Sequence, residues 1–378
     1  MAWFHFCTAN HNKVGRSTLS DMAAWFEAGL LELGHKVTFS ETSVERSAIN
    51  LFWEYFEPGM REELLGAGVD FGLIATELPD GQGFNWRSDP TWTTRFNCFV
   101  EIAPHAKFIW TMIESSVQFY AQFCPTTFIE LGFSERLIPG GLNKAPHIDF
   151  CFFGLRTPYR ETVVSQLEKH AKVVWPRGLL SPTAIAELIS NSRVGLNFKQ
   201  SDQWPIPSPT RLGRLMMAKR AVAAEYVPVP TRQGDIAGIC PQTVPFHEHA
   251  LHILDTDWRE KAERVFQRYQ AEMPMALILE QVLDKTLNYR TGSSEAKTIP
   301  IKVAPPVMVG EDSTWNFFRW KDEYYSLRKT LGPVEVRLGG QALQHIHGME
   351  NILCANSLSE LYEMAEKELS RSLDVQQQ

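Results

Sequence analysis

The stretch 194–227, VGLNFKQSDQWPIPSPTRLGRLMMAKRAVAAEYV, constrains the fold more than any other part of the chain. An apolar run, 194–198, reads as a buried strand ending in Lys199 and Gln200. A Pro/Ser/Asp loop follows over 201–209, and Thr210 opens a basic, Leu/Met-rich helix that ends near Lys219. A second apolar run, 221–224, closes at Glu225. In an α/β sheet, ligands bind just past the carboxyl ends of strands, where such loops lie. A helix start also offers free backbone N–H groups and the positive end of its dipole, which suits an anion. Arg211 and Arg214 add formal charge there. The stretch reads as a phosphate-binding loop; an ordinary crossover with a solvated basic helix face carries the same pattern.

The alternation extends along the chain. Residues 1–9 read as a strand, 10–17 (NHNKVGRS) as a polar loop with one glycine, Gly15, and 19–33 as a strong helix. Gly34 is a helix stop, and 36–40 a second strand. Further strands are expected at 48–56, 70–77, 107–113 and 127–131, with helices at 60–65, 93–103 and 117–123. The Pro/Gly-rich 137–147 is the expected hinge. Strand 148–153, helix 159–170, strand 172–175 and helix 182–190 then lead into the opening stretch. A short strand at 243–246, one or two long helices over 258–287 and a linker-like 291–313 follow. A helix over 315–329, a strand at 334–338 and a final helix at 358–369 complete the expectation. Strands alternating with helices predict an α/β chain of two Rossmann-like domains facing a central cleft. There is no G-x-G-x-x-G, so a dinucleotide fingerprint is not supported.

A chain of 378 residues suits about two domains. The net charge of -7 argues against a general nucleic-acid binder. Six cysteines, at 7, 98, 124, 151, 240 and 354, form no C-x-x-C, which points to a reducing, cytoplasmic setting without structural zinc. The first residues lack a signal-peptide pattern, and no run of about 18 apolar residues predicts a membrane span. Peripheral membrane contact stays open.

Three motifs occur in order between 148 and 228. IDFCFFGLRTPYRETVVSQLEKH is a strand ending in F-G, then an Arg that opens a helix; RVGLNFK is a strand ending in L-N; SPTRLGRLMMAKRAVAAE is a helix, a strand and an acidic residue. Together they resemble the donor-binding half of the group 1 glycosyltransferases of GT-B architecture, in the spore-coat glycosyltransferase-like branch. The resemblance implies an acceptor domain at 1–143, a nucleotide-sugar (donor) domain at 144–290, and a linker with a C-terminal helical segment at 291–378 that packs back on the first domain. It implies a metal-independent transfer of a sugar from a nucleotide-sugar co-substrate to a glycan, lipid-linked or protein acceptor, with no other cofactor. A sugar-nucleotide epimerase and a non-catalytic GT-B-like binding protein are the alternatives. Two positions depart from the family. Arg214 stands where it has a Glu, and Lys219 where it has a helix-ending Gly. A guanidinium has no acceptor to replace a carboxylate.

The candidate donor-binding residues are therefore Gly15, Arg156, Lys199, Ser208, Thr210, Arg211, Arg214 and Glu225. Cations and helix starts can stabilise a leaving diphosphate without a metal. For each cation a surface role competes, and for Ser208 and Thr210 simple N-capping competes. The candidate catalytic residues are Glu77 and Glu114, each ending an expected strand, and His11, whose ordinary pKa lies near working pH. His247, Glu248, His249 and His252 read as a polar helix start rather than a metal cluster. Phe84, Trp86, Trp92, Phe96 and Phe99 form either an acceptor wall or core packing.

Overall fold

The computed structural model describes residues 1–8, 13–41, 43–80, 83–87, 89–178, 180–286, 298–300, 307–320, 323–331, 351–355 and 357–376. The chain divides into two compact units. One comprises Met1–Leu19, His35–Ile129 and Val282–Gln378, the other Ser20–Gly34 and Glu130–Gln281. The Pro/Gly-rich 137–147 falls inside the second unit, where Arg220 Nη2 donates to Asn143 O at 2.8 Å.

In chain order, the first third carries β1 (Trp3–Cys7), α1 (Lys13–Glu32), β2 (Lys36–Ser40), β3 (Ser43–Glu45), β4 (Ile49–Trp53), α2 (Met60–Ala67) and β5 (Phe71–Ala75). Then come α3 (Pro90–Ile102), β6 (Ile109–Thr111), α4 (Val117–Tyr120) and β7 (Thr126–Phe128). Six of these strands form one parallel sheet in the order β2-β1-β4-β5-β6-β7. The order reverses between β1 and β4, and that is the switch point where an open α/β sheet leaves a crevice. Every residue of β4 and β5 is buried. A parallel sheet covered on both faces demands such uninterrupted apolar strands.

The second unit repeats the plan with fewer strands. It carries β8 (Ile148–Cys151), α5 (Pro158–Leu167), β9 (Val173–Val174), α6 (Pro182–Ser190), β10 (Ser192–Asn197), α7 (Pro209–Met217) and β11 (Ala221–Ala224). Helices α8 (Arg232–Ala237), α9 (Phe246–Asp255), α10 (Trp258–Glu272) and α11 (Met275–Thr286) follow. Its parallel sheet runs β11-β10-β8-β9, with the switch point between β8 and β10. Phe152 and Phe198, just past those two strands, stack at 4.1 Å between ring centroids. Helices α5, α6 and α7 each begin with Pro behind a Thr or Ser N-cap, which fixes φ where no N–H partner is needed.

Three expectations are corrected here. The loop expected over 10–17 gives way to helix at Lys13, where α1 begins. The strand expected at 243–246 is a turn leading into α9. The helix expected over 315–329 is a pair of strands. They belong to an antiparallel sheet of β13 (Val307–Glu311), β14 (Trp315–Trp320), β15 (Glu323–Arg328) and β16 (Ile352–Ala355), while β12 (Thr298–Pro300) pairs with β3. Trp315 and Phe317 are buried and alternate with more accessible Asn316 and Phe318. That is the period of two of a half-buried strand, hidden by aromatic density. They pack with Leu353 and with Leu361 and Ala365 of α12 (Leu358–Gln376). The strand expected at 334–338 lies outside the described residues. No helix among those described is long and apolar enough to cross a membrane.

Candidate functional site

Each unit concentrates charge at the carboxyl edge of its sheet. In the first, Glu54 is the residue after β4 and Glu77 lies two past β5. Because β4 is buried throughout, its first residue beyond the strand stays in the interior, and Glu54 is only 1% exposed. Arg95, on α3, reaches both carboxylates with Nη2, at 2.6 Å from Glu77 Oε1 and 3.6 Å from Glu54 Oε1. Asp89 caps α3 by accepting from Trp92 N, and the guanidinium packs over the Trp92 ring at 4.6 Å and the Tyr55 ring at 5.0 Å. Thr76 Oγ1 donates to Glu54 Oε1 at 2.6 Å, Asn85 Nδ2 donates to Glu77 Oε2, and Tyr120 OH donates to Glu77 O at 2.8 Å. Among the described residues, Glu54 Oε2 has no hydrogen-bond partner.

One guanidinium cannot fully neutralise two carboxylates, one buried and one half-buried. Burial first, and then the charge of Glu77, raise the Glu54 carboxyl from 4.5 to about 7, against the opposing pull of Arg95. The raised carboxyl of Glu54 is thus held toward the neutral form, the kind of environment in which general acids and bases occur. Glu77, whose side chain is 19% exposed, is the member that solvent or a substrate can reach.

In the second unit the sign is reversed. Arg211, at the start of α7, is 6% exposed and spans the switch point: Nε donates to Phe153 O at 3.0 Å and Nη1 to Asn197 Oδ1 at 3.4 Å. Arg160, on α5, bridges the same two loops, from Nη1 to Leu155 O at 2.9 Å and from Nε to Lys199 O at 3.1 Å. Both lie over Phe152. No carboxylate among the described residues comes within ion-pair distance of either. Burial pulls the Arg160 guanidinium down to about 10 against the opposing charge of Glu225, and burial and Arg160 pull Arg211 well below its ordinary value. A Cβ on Gly154, where φ is +149°, would lie 2.7 Å from Arg211 Nη2. Glycine is thus what lets the guanidinium approach the backbone.

The sequence candidates distribute as follows. Ser208 occupies the N-cap of α7 but makes no side-chain cap; its Oγ is 3.4 Å from Thr210 Oγ1, and Asn197 holds its backbone at both N–H and C=O. Glu225 accepts from Tyr159 OH and from Lys199 N, and pairs with Lys199 Nζ at 3.5 Å. Arg156 lies over the Trp175 ring at 4.2 Å and donates to Trp175 O. Arg214 pairs with Asp21 of α1. Lys219 takes a left-handed backbone, φ +48°, a conformation that favours glycine, and pairs with Glu263 at 3.0 Å. Gly15 lies within α1, and His11 outside the described residues. Glu114 is exposed just past β6, outside the Glu54–Arg95–Glu77 cluster.

His247, Glu248, His249 and His252 lie on α9, and no group of three metal-binding side chains occurs among the described residues. Phe84 and Phe99 are core, Trp92 and Phe96 pack against it, and Trp86 alone of that run is half exposed. Glu54, Arg95, Tyr120, Arg160 and Asn197 were not singled out from sequence. Asn197 and Arg160 sit inside the quoted motifs, so position at a strand end or helix start was the available signal. Glu54 is disguised by the apolar run around it.

No family model matches the sequence, and no curated protein matches it. Among solved structures, the fold is similar to TarM (11% identity, TM-score 0.43), covering 63% of this chain and 54% of that one, so the chain spans about half of TarM's length. It is similar to AviGT4, a glycosyltransferase involved in avilamycin A biosynthesis, at 12% identity and TM-score 0.43 over 76% of this chain and 98% of that one. It is similar to T4 phage β-glucosyltransferase at 8% identity and TM-score 0.46 over 76% and 99%. Likeness this loose leaves the chain's own residues to carry its function.

Proposed function

We propose that the chain is a glycosyltransferase that moves a sugar from a nucleotide-sugar donor to a hydroxyl acceptor without a bound metal, a glycan being the favoured acceptor. The observation that carries this reading is the pair of buried guanidiniums, Arg160 and Arg211, at the switch point of the second sheet, neither in an ion pair among the described residues, with only the charge of Glu225 acting on Arg160. An uncompensated buried cation is costly in isolation and calls for an anion. The N-terminal N–H groups of α7, left without a side-chain cap by Ser208, add to that demand. A leaving diphosphate is an anion that fits, and two guanidiniums beside a helix start would stabilise its developing charge.

The acceptor half of the reaction needs a base. Glu77 would take the proton of the attacking hydroxyl, with Arg95 and Asn85 holding its carboxylate in place. Glu54 behind it, its carboxyl raised by burial and by the charge of Glu77, would hold its own proton toward neutral pH. Arg214 has no part in this scheme, since Asp21 neutralises it. Glu225 would shape the loop through Tyr159 and Lys199 rather than bind donor hydroxyls. A panel of nucleoside diphosphates and their sugars, with chelator present, tests the proposal by thermal shift and by release of diphosphate. At least one should raise Tm in the wild type and fail to do so in Arg211→Ala. If none shifts Tm in the wild type, the proposal is wrong.

A further inference from the structure

The loop between β5 and α3 holds a feature that neither the base nor the diphosphate site uses. Asp80 accepts from Gly83 N at 2.7 Å and from Trp86 N at 2.8 Å. Asn85 exchanges two bonds with Leu78, its N donating to Leu78 O at 2.7 Å and its Oδ1 accepting from Leu78 N at 2.9 Å. This wiring holds two successive non-glycine residues, Asn85 and Trp86, in the left-handed region, both at φ +56°. Ordinary side chains avoid that conformation, and a large aromatic especially so. Its result is that Trp86 is turned outward at 50% exposure, while Phe84, two residues earlier, is fully buried. The adjacent Asn85 extends its amide to Glu77. The loop thus fastens at one end to the candidate base and at the other presents a bare indole.

We infer that Trp86 is the stacking platform for a pyranose ring of the acceptor, on the loop that Asn85 ties to Glu77. The inference rests on the transferase reading, which it deepens by naming what binds at the acceptor side. A sugar ring is apolar on the faces that carry axial C–H groups and polar around its rim. An exposed indole on a loop that Asn85 ties to Glu77 suits that division, since the indole can take the face of the ring while its hydroxyl rim stays toward polar surroundings. Trp86 is the one half-exposed aromatic of its run among the described residues, a poor match for a protein partner, which needs a contiguous apolar patch.

The test is saturation-transfer NMR on the full chain with three probes: methyl β-D-glucopyranoside, methyl β-D-galactopyranoside and N-acetylglucosamine. At least one should show saturation on its ring C–H protons. That signal should vanish in Trp86→Ala and persist in Trp86→Tyr. Trp86→Gly separates platform from scaffold: relief of the left-handed backbone should raise Tm by about 2 °C, while the sugar signal is lost. No signal from any probe, or equal signal in wild type and Trp86→Ala, overturns the inference. If nucleotide sugars still shift Tm in Trp86→Ala, such a failure leaves the transferase reading standing. Conversely, a Trp86-dependent sugar signal without any nucleotide effect retains the subsite and removes the transferase reading.

Discussion

At the carboxyl edge of the first sheet two carboxylates share one guanidinium, whereas at that of the second two guanidiniums lack an ion-pair partner among the described residues. The sheets follow the same plan. Each reverses strand order beside its first strand, and each places its charges on the loops that follow. Topology therefore selects the place, and the side chains there decide the chemistry. Burial acts on both in the same direction, toward neutrality, and so moves pKa values oppositely: Glu54 goes up, Arg160 and Arg211 go down. An acid near 7 can trade protons at working pH. A weakened but still charged arginine can only hold an anion.

The contrast can be broken at four places. The largest effect is expected at Glu77. Glu77→Gln removes the base while keeping its shape, and should lower kcat about 10²–10⁴-fold with little change in Tm. Full activity in that variant would move the base elsewhere, with Glu114 the next to examine. Next is the cationic side. Arg211→Ala should weaken nucleoside-diphosphate binding about 10²-fold by calorimetry, from the loss of charge-assisted bonds. Arg214→Ala should leave that affinity unchanged, because Asp21 already holds Arg214. Equal losses in the two variants would erase the distinction between the buried pair and the paired arginine.

The third concerns the proton. With Glu54 raised from 4.5 to about 7, the folded state keeps a proton that the unfolded chain has released over this range. Stability then falls as pH rises from 4.5 through 7. Glu54→Gln cannot ionise, so its stability relative to wild type should grow across that window, by on the order of 1–3 kcal/mol, in urea titrations at a series of pH values. Parallel curves would show that Glu54 is not the proton holder. The smallest effect is at Lys219. Lys219→Gly removes a left-handed cost of about 1 kcal/mol and loses an exposed pair with Glu263 worth under about 1 kcal/mol. Its net change in unfolding free energy should stay within about 0.5 kcal/mol. A loss above about 2 kcal/mol would mean that Lys219 packing on Phe266 matters more than its charge.

The sheets were legible in the sequence because both are parallel. Buried strands appear as short apolar runs, and the helices between them announce themselves by Pro at the first turn, as at Pro158, Pro182 and Pro209. Gly34 was legible as a stop, and its φ of +77° shows why. Half of the cationic site was readable too, because Arg211 sits at a recognisable helix start. The acidic site was less so. Glu54 is embedded in INLFWEYF, where pattern suggests only a core strand, and Arg95 is one residue of an ordinary helix. Their meeting depends on how β4, β5 and α3 pack, which no local signal states. The pairing of Arg214 with Asp21, 193 residues apart, is the extreme case. In the last eighty residues, aromatic crowding in WNFFRWKDEYY masked a period of two.

The membership of α1 limits how this protein can be recombined. Its later part, Ser20–Gly34, belongs with the second unit although the strand before it and the strand after it belong to the first. Asp21 answers Arg214, Trp25 lies where a side chain on Gly213 would go, and Gly29 leaves room for Met275 and Leu279. A chimera made by cutting once near the middle would part these partners and graft a foreign helix onto α7 and α11. Exchange of the second unit with that of another chain of the same plan would have to transplant two segments together, the long one and this short one.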